Sequence, residues 1–172
     1  MFRRQRCPAV AQTSSARPPE FIADGRTVPG PRVTAIMAEM LGLQKWDKLL
    51  EIGTGSASQT QEWAKSGCEV HTIELKPVVE PWRLEDEGIN QVYAHVGDGK
   101  KGLPQESPFT AMVATCGVEH IPEPWIDQLA ENGRMVVPSG NSSIQRLTLY
   151  RKQSGSLRPE RVAAYVRFSM MR

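Results

Sequence analysis

Five short apolar runs are spread along the chain with turn-rich or helix-like segments between them. They are "KLLEI" at 48–52, "EVHTIEL" at 69–75, "QVYAHV" at 91–96, "FTAMVAT" at 109–115 and "RMVVP" at 134–138. Runs this short, bounded by glycine and proline and rich in branched side chains, read as strands of a well-covered sheet. Between them, Ala57–Ser66 reads as a helix stopped by Gly67, and Pro77–Glu87 as a helix with proline in its first turn. Pro122–Ala130 reads as a further helix, capped by Asn132-Gly133. Strands separated by helices need crossover connections, so the sheet is expected to be mostly parallel with helices on both faces, an α/β fold.

Two segments frame this rhythm. Upstream, Val33, Ile36, Met37, Met40 and Leu41 fall at helical spacing and end near Gly42, an amphipathic helix whose methionines pack in the core. Downstream, Leu147, Leu149 and Arg151 alternate, "QSGS" turns, and Val162, Ala164, Val166 and Phe168 alternate again. That is an antiparallel hairpin at the edge of the sheet. Residues 1–19 lack periodicity and read as a flexible tail, leaving 20–172 as one domain.

Composition narrows the function classes. The 172 residues carry a net charge of +2, and no basic stripe with interleaved aromatics is present, which argues against nucleic acid. The basic cluster "FRRQR" reads as a solvated tail. No run is long enough to span a membrane, and the first residues lack the apolar stretch of a secretory signal. Cys7, Cys68 and Cys116 are scattered without C-x-x-C spacing, so a reducing cytoplasm and no disulfide framework are expected. No His, Cys or Asp cluster has the spacing of metal ligands, and His71 and His95, inside strands, read as structural.

Chemistry concentrates in "LLEIGTGSASQT" at 49–60. In a parallel sheet, ligands bind at the carboxyl ends of the strands, and the first strand–turn–helix is the usual contact. Gly53 and Gly55 allow a tight turn and a close backbone approach. A dinucleotide fingerprint would place a third glycine at Ser58, and a phosphate-binding loop would end in Gly-Lys. Neither is present. Instead, acids stand at the ends of three consecutive strands: Glu51, Glu74 and Asp98. An acid about twenty residues beyond the turn is placed to accept ribose hydroxyls.

"EIGTG" resembles the turn of class I methyltransferases that use S-adenosylmethionine (AdoMet). The resemblance narrows with "VGDGKKG", "SPFTAMVATCG", "IPEPWIDQLAENGRMVVPSG" and "YVRFSMM", which run in the order and spacing of protein-L-isoaspartate O-methyltransferases. It covers about Glu20 to Met171. It implies a Rossmann-like sandwich with a mostly parallel seven-stranded sheet and a C-terminal antiparallel hairpin. It also implies AdoMet as methyl donor, S-adenosyl-L-homocysteine as product, and a protein or peptide acceptor bearing an isoaspartyl carboxylate. The cofactor would be held by Glu51, Gly53, Thr54, Gly55, Ser56, Thr60, Glu74, Leu75, Gly97, Asp98, Gly99 and Thr115. Within that set, Glu51 would orient the cationic end, Glu74 the ribose, and Asp98 the adenine edge. Pro31, His120, Pro138, Ser139 and Gly140 would frame the acceptor. A cytoplasmic monomer is expected.

The departures from the family are specific. Relatives carry a segment resembling T-I-S-x-P, whose serine lies beside the transferred methyl. In "RTVPGPRVTAIM" Thr27 and Pro31 match, but Pro29 occupies the serine position and offers neither hydroxyl nor N–H. Thr27 or Thr34 remains as a hydroxyl source. Ala57 replaces a third turn glycine, Ser58 an aromatic residue, and the region ahead of the segment is short. Three readings stay open: an isoaspartyl carboxyl methyltransferase, the same cofactor with another acceptor (a modified peptide or small molecule), and a non-catalytic AdoMet-binding module. A dinucleotide oxidoreductase is disfavoured by Ser58. Cys116 reads as a small packed residue rather than a nucleophile, and His120 as a loop residue beside the crevice.

Overall fold

The computed structural model describes residues 30–76 and 91–171. The first helix, α1 (Pro31–Leu41), has proline at its start and ends on Gly42, whose φ of 53° is the left-handed geometry that closes a helix. Strand β1 (Lys48–Ile52) follows, then α2 (Ser58–Ala64), β2 (Glu69–Glu74), β3 (Val92–Val96) and β4 (Phe109–Ala114). Two 3-10 turns, Gly99–Lys101 and Pro104–Glu106, lie between β3 and β4. The chain continues through α3 (Glu123–Gln128), β5 (Leu129–Gly140), β6 (Gln145–Gln153) and β7 (Ser156–Val166).

These strands form one seven-stranded sheet in the order β3-β2-β1-β4-β5-β6-β7. Pairings from β3 to β5 are parallel, and β5-β6 and β6-β7 are antiparallel. The expected sheet and its terminal hairpin are therefore both present. The hairpin turns at Ser154-Gly155, both with positive φ, the geometry that matches the twist of paired strands. The segments read as a helix at 77–87 and as a tail at 1–19 lie outside the described residues.

Alternation along each strand sorts the core into two layers. Leu49, Val70, Ala111, Val113 and Val136 pack with Met37, Met40 and Leu41 of α1 and Trp63 of α2. Leu50, Ile52, Ile73, Met112, Ala114, Met135 and Val137 pack on the other face with Trp125 of α3. Helix α1 is tied to the sheet by Arg134 of β5, which donates to the carbonyls of Leu41 and Gly42 and pairs with buried Asp47.

Helix boundaries differ from the sequence reading in two helices. The helix expected to reach Ala130 ends at Gln128, and Leu129 already pairs with Phe109 of β4. Asn132-Gly133 caps nothing; it sits in an irregularity where the β4–β5 register shifts between Phe109/Leu129 and Ala111/Arg134. The helix end is satisfied from elsewhere: Lys152 Nζ donates to Ile126 O at 2.7 Å and to Leu129 O at 2.8 Å. The first turn of α2 likewise starts at Ser58 rather than Ala57, because Ala57 adopts a left-handed φ of 61° ahead of it.

Candidate active site

The glycine turn follows β1 at the carboxyl edge of the sheet. Gly53 has φ of 100°, and a Cβ there would lie 2.5 Å from Thr115 Oγ1, so only glycine fits. Thr115, at the end of β4, donates from its hydroxyl to Gly53 O and lies 3.1 Å from Ile52 O. The Gly53 N–H donates to Ile73 O at 2.9 Å, tying the turn to β2. The turn is thus held from both neighbouring strands.

Two of the three strand-end acids stand open to the crevice. Gly55 N–H donates to Glu74 Oε2 at 3.1 Å, which joins the turn to the acid at the end of β2. The other oxygen, Oε1, accepts from Leu75 N–H at 2.9 Å. Asp98 caps the 3-10 turn after β3, its Oδ1 accepting from Lys100 N–H at 3.0 Å. Both carboxylates are only partly buried, and the Leu75 side chain beside them is half exposed.

Glu51 is placed otherwise. Its residue is 0 % exposed, on the face of β1 covered by α2. Its carboxyl accepts from Trp63 Nε1 at 2.8 Å, Thr72 Oγ1 at 2.8 Å and the Thr60 hydroxyl. The Thr54 hydroxyl lies 2.6 Å from Thr72 Oγ1 and, since Thr72 donates to Glu51, donates into the same chain. Side chains of Glu51, Thr54 and Thr60 therefore form a closed network beneath the turn instead of reaching into the crevice. Burial pushes the Glu51 carboxyl up to about 7, against the lowering effect of Thr60, Thr72 and Trp63 and with a smaller rise from Glu74. A group expected to orient the cofactor directly instead supports the turn that would hold it.

Ser56 Oγ lies 3.0 Å from Ser58 Oγ, both partly buried at the start of α2. Gly97 and Gly99 let the loop after β3 approach the sheet: a Cβ on Gly99 would meet Ile52 Cγ2 at 2.9 Å. On the acceptor side, Val118 N–H donates to Pro138 O at 3.0 Å and Gly140 N–H donates to Val118 O at 2.9 Å. This pairs the loop after β4 with Pro138, Ser139 and Gly140 at the end of β5. His120 is exposed on the same loop, and Pro31 is exposed at the start of α1. Thr27 and Pro29 lie outside the described residues.

One wall was not foreseen in the sequence. Residues 168–171 return to the carboxyl edge beside the loop after β4 and form a single parallel bridge with it: Gly117 N–H donates to Ser169 O at 2.9 Å, and Met171 N–H to Gly117 O at 2.8 Å. Buried Gln145 holds the return, its Oε1 accepting from Phe168 N–H at 2.7 Å. Met171 Cε comes within 3.5 Å of where a Cβ of Gly99 would stand. "YVRFSMM" has no periodicity that would place it there.

The donor set fits AdoMet in kind. The glycine turn and the partly exposed carboxylate of Glu74 meet at the end of β2, and "GTGSAS" contributes no lysine or arginine for a pyrophosphate. Among the described residues no group of three or more His, Cys, Asp or Glu is arranged to hold a metal ion, and no helix is long and apolar enough to cross a membrane. His71 Nδ1 lies 3.1 Å from His95 Nε2, and His71 Nε2 lies 2.7 Å from Glu69 Oε1, a polar cluster between β2 and β3.

Comparison with known proteins agrees with this geometry. A protein-L-isoaspartate O-methyltransferase of Gloeobacter violaceus is 40 % identical over 140 residues, 79 % of this chain and 68 % of the relative. One from Fervidobacterium nodosum is 40 % identical over 157 residues, 87 % of this chain and 78 % of the relative. A solved protein-L-isoaspartate O-methyltransferase superposes with a TM-score of 0.75 at 31 % identity, covering 84 % of this chain and 48 % of the other. The chain thus spans about half the length of that solved relative. A putative Plasmodium falciparum protein-L-isoaspartate O-methyltransferase, solved with S-adenosyl-L-homocysteine, shares the fold with a TM-score of 0.74 at 20 % identity, over 90 % of this chain and 79 % of its own. The family model for protein-L-isoaspartate (D-aspartate) O-methyltransferases matches residues 7–171, and the chain belongs to that family.

Proposed function

We propose that the chain transfers a methyl group from AdoMet to the free carboxylate of an isoaspartyl residue in a peptide or protein. The observation that carries the cofactor half is the bond from Gly55 N–H to Glu74 Oε2, which brings the glycine turn and the ribose-binding acid together at the sheet edge. When bound, AdoMet supplies an electrophilic methyl on a sulfonium. Glu74 would accept from the ribose, Asp98 from the adenine amine, and the Gly53–Ser56 backbone would seat the amino-acid end. Ser139, Gly140 and the loop bearing His120 hold the acceptor as an extended segment through backbone contacts.

The acceptor carboxylate is already ionised at neutral pH, so the reaction needs no strong general base. What the protein supplies is alignment of carboxylate oxygen, methyl carbon and sulfur in a site closed to water. A cytoplasmic monomer of one domain over 20–172 is consistent with this activity and is part of the proposal.

Pro29 favours a second reading, with the same cofactor and a different carboxylate acceptor, because the hydroxyl that relatives place beside the methyl is absent at that position. Methyl transfer from labelled AdoMet to an isoaspartyl peptide, with the aspartyl peptide as control, tests the proposal. Incorporation specific to the isoaspartyl peptide is expected. Activity gained only by a Pro29→Ser variant, with none in the parent, assigns the parent to another acceptor or to a non-catalytic AdoMet-binding role.

A further inference from the structure

The loop from Gly97 to Leu103 leaves the sheet after β3 and carries Asp98 at its outer end. Gly97 N–H still donates to Glu74 O of β2 at 2.9 Å, and the N–H groups of Lys101 and Gly102 close the turn on Asp98 O and Gly99 O. Further partners come from α3. Trp125 Nε1–H donates to Gly99 O at 2.8 Å. Gln128 Nε2 donates to Lys101 O at 2.8 Å, and its Oε1 accepts from Leu103 N–H at 2.7 Å. Two side chains on one six-residue helix therefore fix three positions of the loop. Both are buried, Trp125 at 0 % and Gln128 at 5 % exposure.

The loop is shaped around this grip. A Cβ on Gly102, which has φ of 62°, would fall 2.3 Å from Gln128 Oε1, and one on Gly99 would fall 2.9 Å from Ile52 Cγ2. The loop is thus clamped between the end of β1 and α3, and glycine is required on both sides. Asp98 is fixed to the clamped part through Lys100 N–H, which donates to its Oδ1 at 3.0 Å.

We propose that Trp125 and Gln128 are positioning residues for cofactor recognition: through the Gly99–Leu103 turn, α3 sets where the Asp98 carboxylate stands to receive the adenine amine. The inference rests on the assignment of Asp98 to adenine under the proposed function. Burial of an indole in the core alone would contribute stability. A hydrogen bond from that indole to the loop carbonyl adds a constraint on geometry, and the two effects separate experimentally.

The test is a double-mutant cycle on AdoMet and S-adenosyl-L-homocysteine binding to the full chain, using Trp125→Phe, Asp98→Asn and the pair. Trp125→Phe keeps an aromatic ring but removes the donor to Gly99 O. It is expected to weaken AdoMet binding about three- to tenfold, to speed amide exchange across 99–103, and to leave the KM for the acceptor peptide unchanged. In the Asp98→Asn background the same substitution is expected to cost little further affinity. Equal losses from Trp125→Phe in both backgrounds, or none in either, overturn the proposal while Asp98 keeps its role. Unchanged affinity in Asp98→Asn overturns the adenine assignment and the proposal with it. If Trp125→Phe does not fold, Gln128→Met enters the cycle in its place with the same expected outcomes.

Discussion

Glu51 joins two properties that rarely coexist: a carboxyl with three hydrogen-bond donors around it, and a pKa raised to about 7 from the ordinary 4.5 of a glutamate. Desolvation exceeds the effect of the donors because the group is fully buried. Its folded pKa lies above its unfolded one, so between about pH 4.5 and 7 the folded chain binds a proton that the unfolded chain has released. The stability linked to this group is fully present below that window and is lost as pH rises through about 7. Glu51→Gln removes the titration. Denaturant unfolding of parent and variant across the window should show the parent losing stability relative to Glu51→Gln, by on the order of 3 kcal/mol in all. A constant difference across pH would refute the assignment. The sequence showed that an acid closes β1 but not where its side chain goes. A strand buried at four of its five positions carries no polar alternation to mark its two faces, so the side covered by α2 could not be read from it.

At the scale of elements, legibility depended on whether the stop signals were local. The close of α1 at Gly42 and the "QSGS" turn are encoded by residues at the site itself, and the structure has them where the sequence reading put them. The end of α3 was misplaced because Asn132-Gly133 is an equally good signal for a helix cap and for a strand irregularity. The residue that decided it, Lys152, lies on another strand. Two predictions belong here. Ser154 adopts φ of 51° ahead of Gly155, the geometry in which asparagine outperforms serine, so Ser154→Asn should stabilise the hairpin by a few tenths to about 1 kcal/mol in denaturant melts. Arg134→Met should cost about 3 kcal/mol, since it leaves the Asp47 carboxylate, 3 % exposed, without its cation and frees the end of α1. Asp47→Asn in the same background should recover part of that loss.

Across the whole molecule, the sheet order brings the glycine turn, Glu74, the loop bearing Asp98 and Thr115 to the ends of neighbouring strands, although they are far apart in sequence. AdoMet at about a hundred times its Kd should stabilise the folded chain by about 2.7 kcal/mol and raise its Tm by several degrees. NAD at the same concentration should not, and equal shifts from both would remove the distinction drawn from Ser58. The parallel half of this plan was legible because its strands are short apolar runs bounded by local glycine and proline signals. The wall made by residues 168–171 was not, because a return along the sheet edge depends on Gln145 and Gly117, which are distant in sequence. That return has a consequence for synthesis. A ribosome that has just completed β5 has already made the glycine turn, Glu74 and Asp98, yet the 168–171 segment that packs beside Gly117 does not exist. Until the hairpin and the four residues 168–171 have left the tunnel, the crevice lacks one side. Cofactor binding would then report on chains that have made this return and offer little protection to those that have not.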